Sequence, residues 1–307
     1  MLSQKYIKNL AVEAGFDLCG VAPCRRQTDG ENYFRHWLDS GYSGGLAYLS
    51  RNTDVRFDPS RLVADARTVV VCAISYRNDI SAGYPDSCRT KIASYACTAD
   101  YHDTIRRMLR GMLATMRNEY PDLQGRAFVD SAPLLEKQFA IDAGLGRRGR
   151  QSLLVTPQYG TFVLLGELVL DKECDQYDAP MEGAGCGECR RCVESCPVGA
   201  ILQERAVDAS RCISCATVEA NARKTDGEEY VEKNLHGWIF GCDECQSCCP
   251  YNRNALPRRS ALMEPLFDPR SMDAGKWLEM SDEEFSERFG TTPLARSGPE
   301  AIKRNLK

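Results

Sequence analysis

The chain has 307 residues, a net charge of −4, and 43% hydrophobic and 27% charged residues, so it is long enough for two or three domains with buried cores. No apolar stretch approaches the roughly 20 residues of a membrane-spanning helix, and the N-terminal segment lacks the apolar core of a secretory signal. We therefore expect a cytoplasmic protein with no membrane segment. The negative net charge disfavours a generally basic nucleic-acid binder but allows local basic patches.

The N-terminal part of the chain alternates patterns that are typical of helices and of strands. Residues 101–117 predict a helix with Ile105, Met108, Leu109 and Met112 on one face. Further predicted elements, in chain order, are an amphipathic N-terminal helix, strands at 16–22 and 67–76, a short strand before a turn at 131–133, a helix ending at Gly144, and strands at 152–156 and 161–170. These elements indicate a mixed α/β domain.

A polar, turn-rich stretch at 175–185 separates this domain from a cysteine-rich segment. After Asn254 the composition returns to helix formers, with a helix at 282–289 and no further region large enough for its own core. The predicted fold class is α+β. It comprises a mixed α/β domain at 1–174, a ferredoxin-like domain with two [4Fe–4S] clusters at 175–255, and a short helical C-terminal segment at 256–307.

Sixteen cysteines indicate metal ligation or redox chemistry, because a reducing compartment disfavours structural disulfides. Eleven of them lie between Cys174 and Cys249. Residues 186–197 read CGECRRCVESCP, which has the C-x2-C-x2-C-x3-C-P spacing of bacterial ferredoxins, where the fourth cysteine binds the other cluster. A second run, GCDECQSCCPYN at 241–252, and Cys212 in RCIS complete the set.

Crossed fourth ligands give an assignment for eight thiolates. The first cluster is predicted to take Cys186, Cys189, Cys192 and Cys249, and the second to take Cys196, Cys212, Cys242 and Cys245. Structural zinc is the alternative, but it needs neither the closely spaced third and fourth cysteines nor a Cys-Pro pair in both runs. Cys215 is surplus, Cys248 is expected to be a buried free thiol, and most of the five early cysteines are expected to behave as small hydrophobes.

Two clusters alone would make an electron carrier, and the α/β domain is larger than a carrier needs, so a second cofactor is expected. No GxGxxG motif follows a strand and no P-loop occurs. His102 lies in DYHDTI, which begins like the D-x-H-x-x-G loop that ligates cobalamin in some enzymes. Ile105 stands in the glycine position, so we expect a satisfied or exposed helical histidine.

The order of several segments resembles that of the epoxyqueuosine reductase family over most of the chain. These segments are VDSAPLLEKQFAIDAGLG (129–146), SLLV, FVLLGELVL, CGECRRCVESCPVGAI, RCIS and GCDECQSCCPYNR. The resemblance implies a cobalamin-binding α/β domain, two [4Fe–4S] clusters, and reduction of epoxyqueuosine to queuosine in the anticodon loop of tRNA. It implies Asp130 as the proton donor and a cofactor-binding set of Arg56, Cys97, Asp130, Ser152 and Ser214. Lys137 stands where the family usually has arginine.

The mechanism that this resemblance implies requires an external low-potential electron donor and a base-off cobalamin. Burial beside the corrin is expected to raise the pKa of Asp130 and keep it partly neutral. The alternative is that Asp130 only caps the following helix. We expect a monomer, and we expect phosphate contacts from basic residues: Arg147, Arg148, Arg150, Arg223, Lys224, Arg253, Arg258 and Arg259.

Three other functions remain open at this point. A corrinoid reductive dehalogenase also joins cobalamin to two clusters, although the twin-arginine export signal usual in that class is not expected here. A ferredoxin-type carrier without enzymatic activity would bind no corrinoid. A zinc-stabilised RNA-binding module would be colourless.

Overall fold

The computed structural model describes residues 1–183, 185–203, 205–219 and 235–306. The helices are α1 (Gln4–Glu13), α2 (Thr28–Asp39), α3 (Thr53–Phe57), α4 (Tyr101–Glu119), α5 (Glu136–Asp142), α6 (Arg191–Ser195), α7 (Ile213–Val218), α8 (Glu244–Ser247), α9 (Ala274–Glu279), α10 (Asp282–Phe289) and α11 (Gly298–Asn305). The strands are β1 (Leu18–Pro23), β2 (Thr68–Ser75), β3 (Lys91–Ile92), β4 (Gly125–Phe128), β5 (Arg147–Arg148), β6 (Leu154–Val155), β7 (Val163–Leu170) and β8 (Trp238–Phe240).

Four antiparallel strands form the central sheet in the order β1-β2-β7-β4. The predicted β-branched strand is β2, and every one of its residues is buried because helices cover both faces of the sheet. The predicted strand at 161–170 is β7, which pairs with β2 along its whole length and with β4 on its other edge. The expected mixed α/β region is therefore present.

Each face of the sheet has its own hydrophobic core. On one face α1 and α4 pack against β2 and β7, and the predicted stripe of Ile105, Met108, Leu109 and Met112 is buried there. On the other face α5 packs against β2 and β7, with Phe139 fully buried. The alternation of side chains along the strands sends successive residues into the two cores.

The N-terminus of α4 positions residues that matter for the candidate site. Asp100 is the N-cap of this helix, and its side chain accepts a hydrogen bond from the backbone N–H of His102. Tyr101 and His102 therefore occupy the first turn, and their rings stack at a centroid distance of 4.0 Å. The helix then runs to Glu119 as a straight support for the sheet.

The cysteine-rich segment and the C-terminus fold together with part of the N-terminal half. Strand β8 pairs in parallel with β3, which joins residues on either side of the expected boundary at 174. The segment after Asn254 shares a core with earlier parts of the chain. Met272, Trp277, Phe285 and Phe289 of the C-terminal segment form a hydrophobic cluster around Phe240 of β8. Within the described ranges, no helix combines the length and the apolar character needed to cross a bilayer.

Candidate active site

A cavity of about 930 Å³ lies between the α/β region and the cysteine-rich segment. This size is near the upper end of the usual range for small-molecule sites. Four of the five predicted cofactor-binding residues line it, namely Arg56, Asp130, Ser152 and Ser214. Asp130 and Ser152 have positive φ values of 54° and 63°, which non-glycine residues adopt mainly where the surrounding structure holds them, often at functional sites.

The fifth predicted residue, Cys97, does not line the cavity, in contrast to the prediction. Its side chain is fully buried in the hydrophobic cluster that the C-terminal helices build, beside Phe240 and Trp277. Its thiol donates to the backbone carbonyl of Ala93 at 3.8 Å. Cys97 is not among the residues that line the cavity, because the C-terminal segment covers it on the far side. It therefore acts as a small core hydrophobe.

The structure brings together the two predicted sets of cysteines. Burial raises the pKa of Cys249 to about 11, and the neighbouring Cys186 and Cys192 contribute to the shift. Burial likewise raises the pKa of Cys245, with contributions from Cys242 and Cys212. The second set, Cys196, Cys212, Cys242 and Cys245, lines the cavity, and we call it the cysteine wall. The first set does not line it.

The two surplus cysteines, Cys215 and Cys248, are both half-buried. The Cys248 thiol is half-buried, not buried as expected, and it donates to the Cys245 carbonyl at 3.6 Å. Cys215 is half-buried beside Cys212. Among the described residues, no three His, Cys, Asp or Glu side chains converge on one ion-sized point.

Hydrogen bonds from outside the cysteine segment hold its loops in place. Arg150 donates from Nε and Nη2 to the carbonyls of Cys189 and Gly187, at 2.8 and 2.9 Å. The backbone N–H and the Oγ of Ser94 both donate to a carboxylate oxygen of Asp243, which lies between two of the predicted ligands. Arg150 was predicted to contact phosphate, and its guanidinium is instead engaged with the cluster loop.

The opposite wall of the cavity carries Asp130 in a network of donors. Its Oδ2 lies 2.8 Å from the Tyr101 hydroxyl, which donates to it, and 2.9 Å from His102 Nε2. Asp130 does not cap α5, because Leu135 occupies the N-cap position, so that alternative was wrong. The backbone N–H of Asp130 donates to the Glu136 carboxylate instead. Tyr101, Asp130 and Glu136 line the cavity, and we call them the proton wall.

Two opposing effects act on the pKa of Asp130. Burial raises the pKa of its carboxyl, but hydrogen bonds from His102 and Tyr101 outweigh burial and lower that pKa below its usual value. Burial lowers the pKa of His102, but its hydrogen bonds with Asp100 and Asp130 outweigh this and raise it. The directions of both shifts favour a proton on His102 and an ionised Asp130.

A third carboxylate and an arginine extend this network away from the cavity. Asp100 Oδ1 lies 2.8 Å from His102 Nδ1, and Asp100 Oδ2 accepts a hydrogen bond of 2.7 Å from Arg296 Nε. Burial raises the pKa of Asp100, but the hydrogen bonds from His102 and Arg296 lower it to about 2. The sequence indicated His102 as a satisfied helical residue, which is confirmed. No local pattern could predict that Arg296 binds Asp100, the partner of His102.

The cavity has features that fit cobalamin. Arg56 Nε and Gln151 Nε2 are buried without a hydrogen-bond partner, and both residues line the cavity. Such donors suit the amide and phosphate oxygens of a large polar ligand. Aromatic residues such as Tyr33, Phe34 and Trp37 supply flat apolar surface, and the Arg56 guanidinium lies 5.5 Å from the Phe34 ring.

The other predicted phosphate contacts have mixed surroundings. Arg148 stacks over Tyr33 at 4.0 Å beside the cavity, and Arg258 pairs with Glu264 at 3.2 Å. Arg253 and Arg259 are exposed. Arg147 is half-buried, with its Nε buried and without a hydrogen-bond partner. Arg223 and Lys224 lie outside the described residues.

Comparisons with known proteins agree with this site. The family described as "Epoxyqueuosine reductase QueG, DUF1730" matches residues 56–131, and the "4Fe-4S double cluster binding domain" matches residues 185–252. An epoxyqueuosine reductase from Cyclobacterium marinum is 37% identical over 306 residues, which cover 98% of this chain and 94% of the relative.

Solved structures give the same result. A crystal structure of epoxyqueuosine reductase with an epoxyqueuosine-modified tRNA stem loop aligns with a TM-score of 0.85 and 27% identity, covering 98% of this chain and 79% of that one. The Bacillus subtilis enzyme, solved with its aspartate catalytic loop swung out of the active site, aligns with a TM-score of 0.85, 25% identity and the same coverage. The chain thus belongs to the epoxyqueuosine reductase family.

Proposed function

We propose that this protein reduces epoxyqueuosine to queuosine in the anticodon loop of tRNA, with cobalamin and two [4Fe–4S] clusters as cofactors. One observation carries the proposal: the cysteine wall and the proton wall face the same cavity. Electrons and a proton can therefore reach one substrate atom from two sides. The proposed division of the chain is residues 1–174 for cobalamin and catalysis, 175–255 for the clusters, and 256–307 as a helical C-terminal segment.

The reaction sets clear demands on the site. Converting an epoxide to an alkene breaks both C–O bonds, forms a C=C bond, takes up two electrons and two protons, and releases water. When bound, cobalamin supplies low-potential reducing chemistry and the clusters supply one-electron transfer. Arg56 and Gln151 would hold the corrinoid through their unpartnered donors, with Ser152 and Ser214 nearby on the cavity wall. None of the three histidines lines the cavity, which supports the proposed base-off state.

The positions of the cysteines support a direction for electron flow. The cysteine wall belongs to the second set of ligands, whereas Cys186, Cys189, Cys192 and Cys249 lie away from the cavity. We assign the entry of electrons from an external low-potential donor to the first set. Arg150 fixes the backbone of that set at Gly187 and Cys189, which limits reorganisation of the loop.

Asp130 is the proposed proton donor to the opening epoxide oxygen. The His102 ring and the Tyr101 hydroxyl lie 2.9 and 2.8 Å from its carboxylate, so Asp130 can take up the His102 proton and pass it to the substrate oxygen. Its side chain is 53% exposed within the cavity, which gives a substrate access to it. The Bacillus subtilis relative also carries its catalytic aspartate on a loop, and Asp130 lies on the loop between β4 and α5.

The proposed substrate base must leave its stack to reach this cavity. An anticodon loop allows this because its bases are single-stranded. Arg253 and Arg259 are the exposed candidates for phosphate contacts. Their replacement by glutamine should weaken tRNA binding and flatten its dependence on salt, whereas unchanged salt dependence would remove both from the interface.

The direct test is anaerobic. The protein is reconstituted with iron and sulfide, loaded with cobalamin, freed of unbound cofactor, and mixed with an epoxyqueuosine stem loop and dithionite. Mass spectrometry should show loss of one oxygen atom from the modified base. Retained cofactors with no change in the base would contradict the proposal.

A further inference from the structure

The proposed reaction consumes two protons, and the Asp130–His102 pair accounts for only one of them. A second donor would need to lie near Asp130, hold a proton at neutral pH, and communicate with the cavity. A pair of glutamates behind Asp130 meets these conditions, and the network around His102 does not include it.

Glu167 is the unusual member of this pair. It lies in the middle of β7, opposite Val71 of β2 and Phe128 of β4, and its side chain is 0% exposed. Both of its carboxyl oxygens are buried without a hydrogen-bond partner. A charged carboxylate in such a place would be strongly destabilising, so the group keeps its proton. Burial raises the pKa of Glu167 well above its usual value, and the charges of Glu136 and Asp130 raise it further.

Glu136 connects Glu167 to the cavity. It is the first residue of α5, it lines the cavity, and its carboxylate accepts the backbone N–H of Asp130. Helix α5 packs against β7, and the charge of the Glu136 carboxyl acts on Glu167. Burial and the charge of Asp130 raise the pKa of Glu136 to about 7.

Other charged groups facing the pair do not remove its proton. Lys137 lowers the pKa of Glu136, but its own ammonium is disfavoured by burial, which lowers the pKa of Lys137. Arg56 also acts on Glu136 from across the cavity. Both cations stabilise the carboxylate form of Glu136 more than the carboxylate form of Glu167. The two groups are therefore expected to share a single proton, which rests on Glu167.

We propose that Glu136 and Glu167 form a carboxyl pair that supplies the second proton of the reaction, an inference that rests on the proposed function. After Asp130 has protonated the opened epoxide oxygen, the Glu167 O–H bond breaks and its proton moves to the Glu136 carboxylate. The new O–H bond of Glu136 then breaks as an O–H bond forms on the substrate oxygen, whose remaining C–O bond breaks so that it leaves as water. Water returns one proton to the pair after the product has left, so two protons and two electrons are consumed per turnover.

The first test needs neither cofactors nor substrate. Infrared difference spectra of the chain are recorded as pH is raised, in wild type and in Glu167→Gln, with the exposed Glu284→Gln as a matched control. Wild type and the control should keep the band of a buried protonated carboxyl above the pH at which ordinary glutamates ionise, and Glu167→Gln should lack it. A wild type without that band at neutral pH would overturn the proposal even if the enzyme reduces epoxyqueuosine.

A stability measurement supplies an independent check on folding. Between the unfolded pKa of glutamate, about 4.3, and its raised folded pKa, only the folded state binds the proton. Wild-type stability should therefore fall as pH rises through this window, while Glu167→Gln should lack this decline. A variant that only failed to pack would be less stable at every pH, and parallel curves for the two proteins would overturn the proposal.

Single-turnover reduction then tests the role in catalysis. Glu167→Gln and Glu136→Gln should retain iron and corrinoid, and each should lower the rate about 10²-fold below pH 7, with the loss shrinking as pH rises above about 7 and Glu136 ionises in wild type. Wild-type rates at every pH in both variants would overturn the proposal. Absence of reduction in wild type itself would instead contradict the proposed function and leave the infrared result standing.

Discussion

The two walls of the cavity are held in place by different kinds of contact. The cysteine wall is carried by short loops and helices whose shape comes from local backbone turns. Examples are the hydrogen bonds from the Ala216 N–H to the Cys212 carbonyl and from the Gln246 N–H to the Asp243 carbonyl. The proton wall depends on side-chain hydrogen bonds between residues far apart in the chain, from Asp100 to Arg296. Local turns shape most of the cysteine wall, with added long-range hydrogen bonds from Ser94 to Asp243, whereas the proton wall is held by side-chain hydrogen bonds between charged groups.

This difference predicts how each wall responds to substitution. Each cysteine of this wall is a proposed ligand, one of four to a cluster, so losing one should remove a whole cofactor. Each member of the proton network only shifts the pKa values of its neighbours, so its loss should change their protonation partially and remove no cofactor. The expected effects therefore fall from the cysteines, through Asp130, to His102 and Arg296.

The largest effect should come from a residue of the cysteine wall. Cys245→Ala should lose the second cluster, so the iron content after reconstitution should fall by about half and turnover should be abolished. Cys248→Ala is the matched control, because Cys248 lies three residues away and is not a predicted ligand. Iron and absorbance measurements distinguish the two variants. Equal iron loss in both would show that Cys248 takes part in ligation.

Asp130→Asn should have the next largest effect. The variant keeps the size of the side chain and loses the carboxylate that transfers the proton, so turnover should fall by about 10²–10⁴-fold while iron and corrinoid contents stay unchanged. Asp103→Asn is the control, since its carboxylate is 78% exposed and pairs only loosely with Arg106 at 3.4 Å. Wild-type turnover in Asp130→Asn would exclude Asp130 as the donor.

The same contrast explains what the sequence could predict. The cluster ligands are predicted from spacing alone, because short loops convert spacing directly into geometry, and that assignment stays a prediction. The strands β2 and β7 and the buried stripe of α4 followed from hydrophobic periodicity. The hydrogen bonds that lower the pKa of Asp130 could not be predicted, because they come from His102 and Tyr101, which a local motif does not connect to it. The position of Cys97 was missed because C-terminal side chains close over it.

His102→Gln should reveal the charged pair through stability. The folded pKa of His102 is raised, so its contribution is fully present below the unfolded value of about 6.5 and is lost as pH rises through the folded value. The variant should be less stable by about 1–2 kcal/mol at pH 6, and the difference should shrink at high pH. Denaturant titrations at several pH values provide the measurement. A constant difference across pH would indicate lost packing without a charged histidine.

Arg296→Gln should have the smallest effect, because the Arg296 side chain is 47% exposed and such pairs contribute at most about 1 kcal/mol. Asp100 has a depressed pKa of about 2, so its contribution is present above the unfolded value near 3.9 and is lost as pH falls through the folded value. Removing Arg296 should move acid unfolding to a higher pH. Turnover near neutral pH should stay within about threefold of wild type, because Asp100 stays ionised there and still binds His102. Arg288→Gln, which breaks an exposed helical pair with Glu284, is the control and should not move the acid transition in the same way. If Arg296→Gln lost as much turnover at neutral pH as Asp130→Asn does, the ionised state of Asp100 would depend on Arg296 and not on His102.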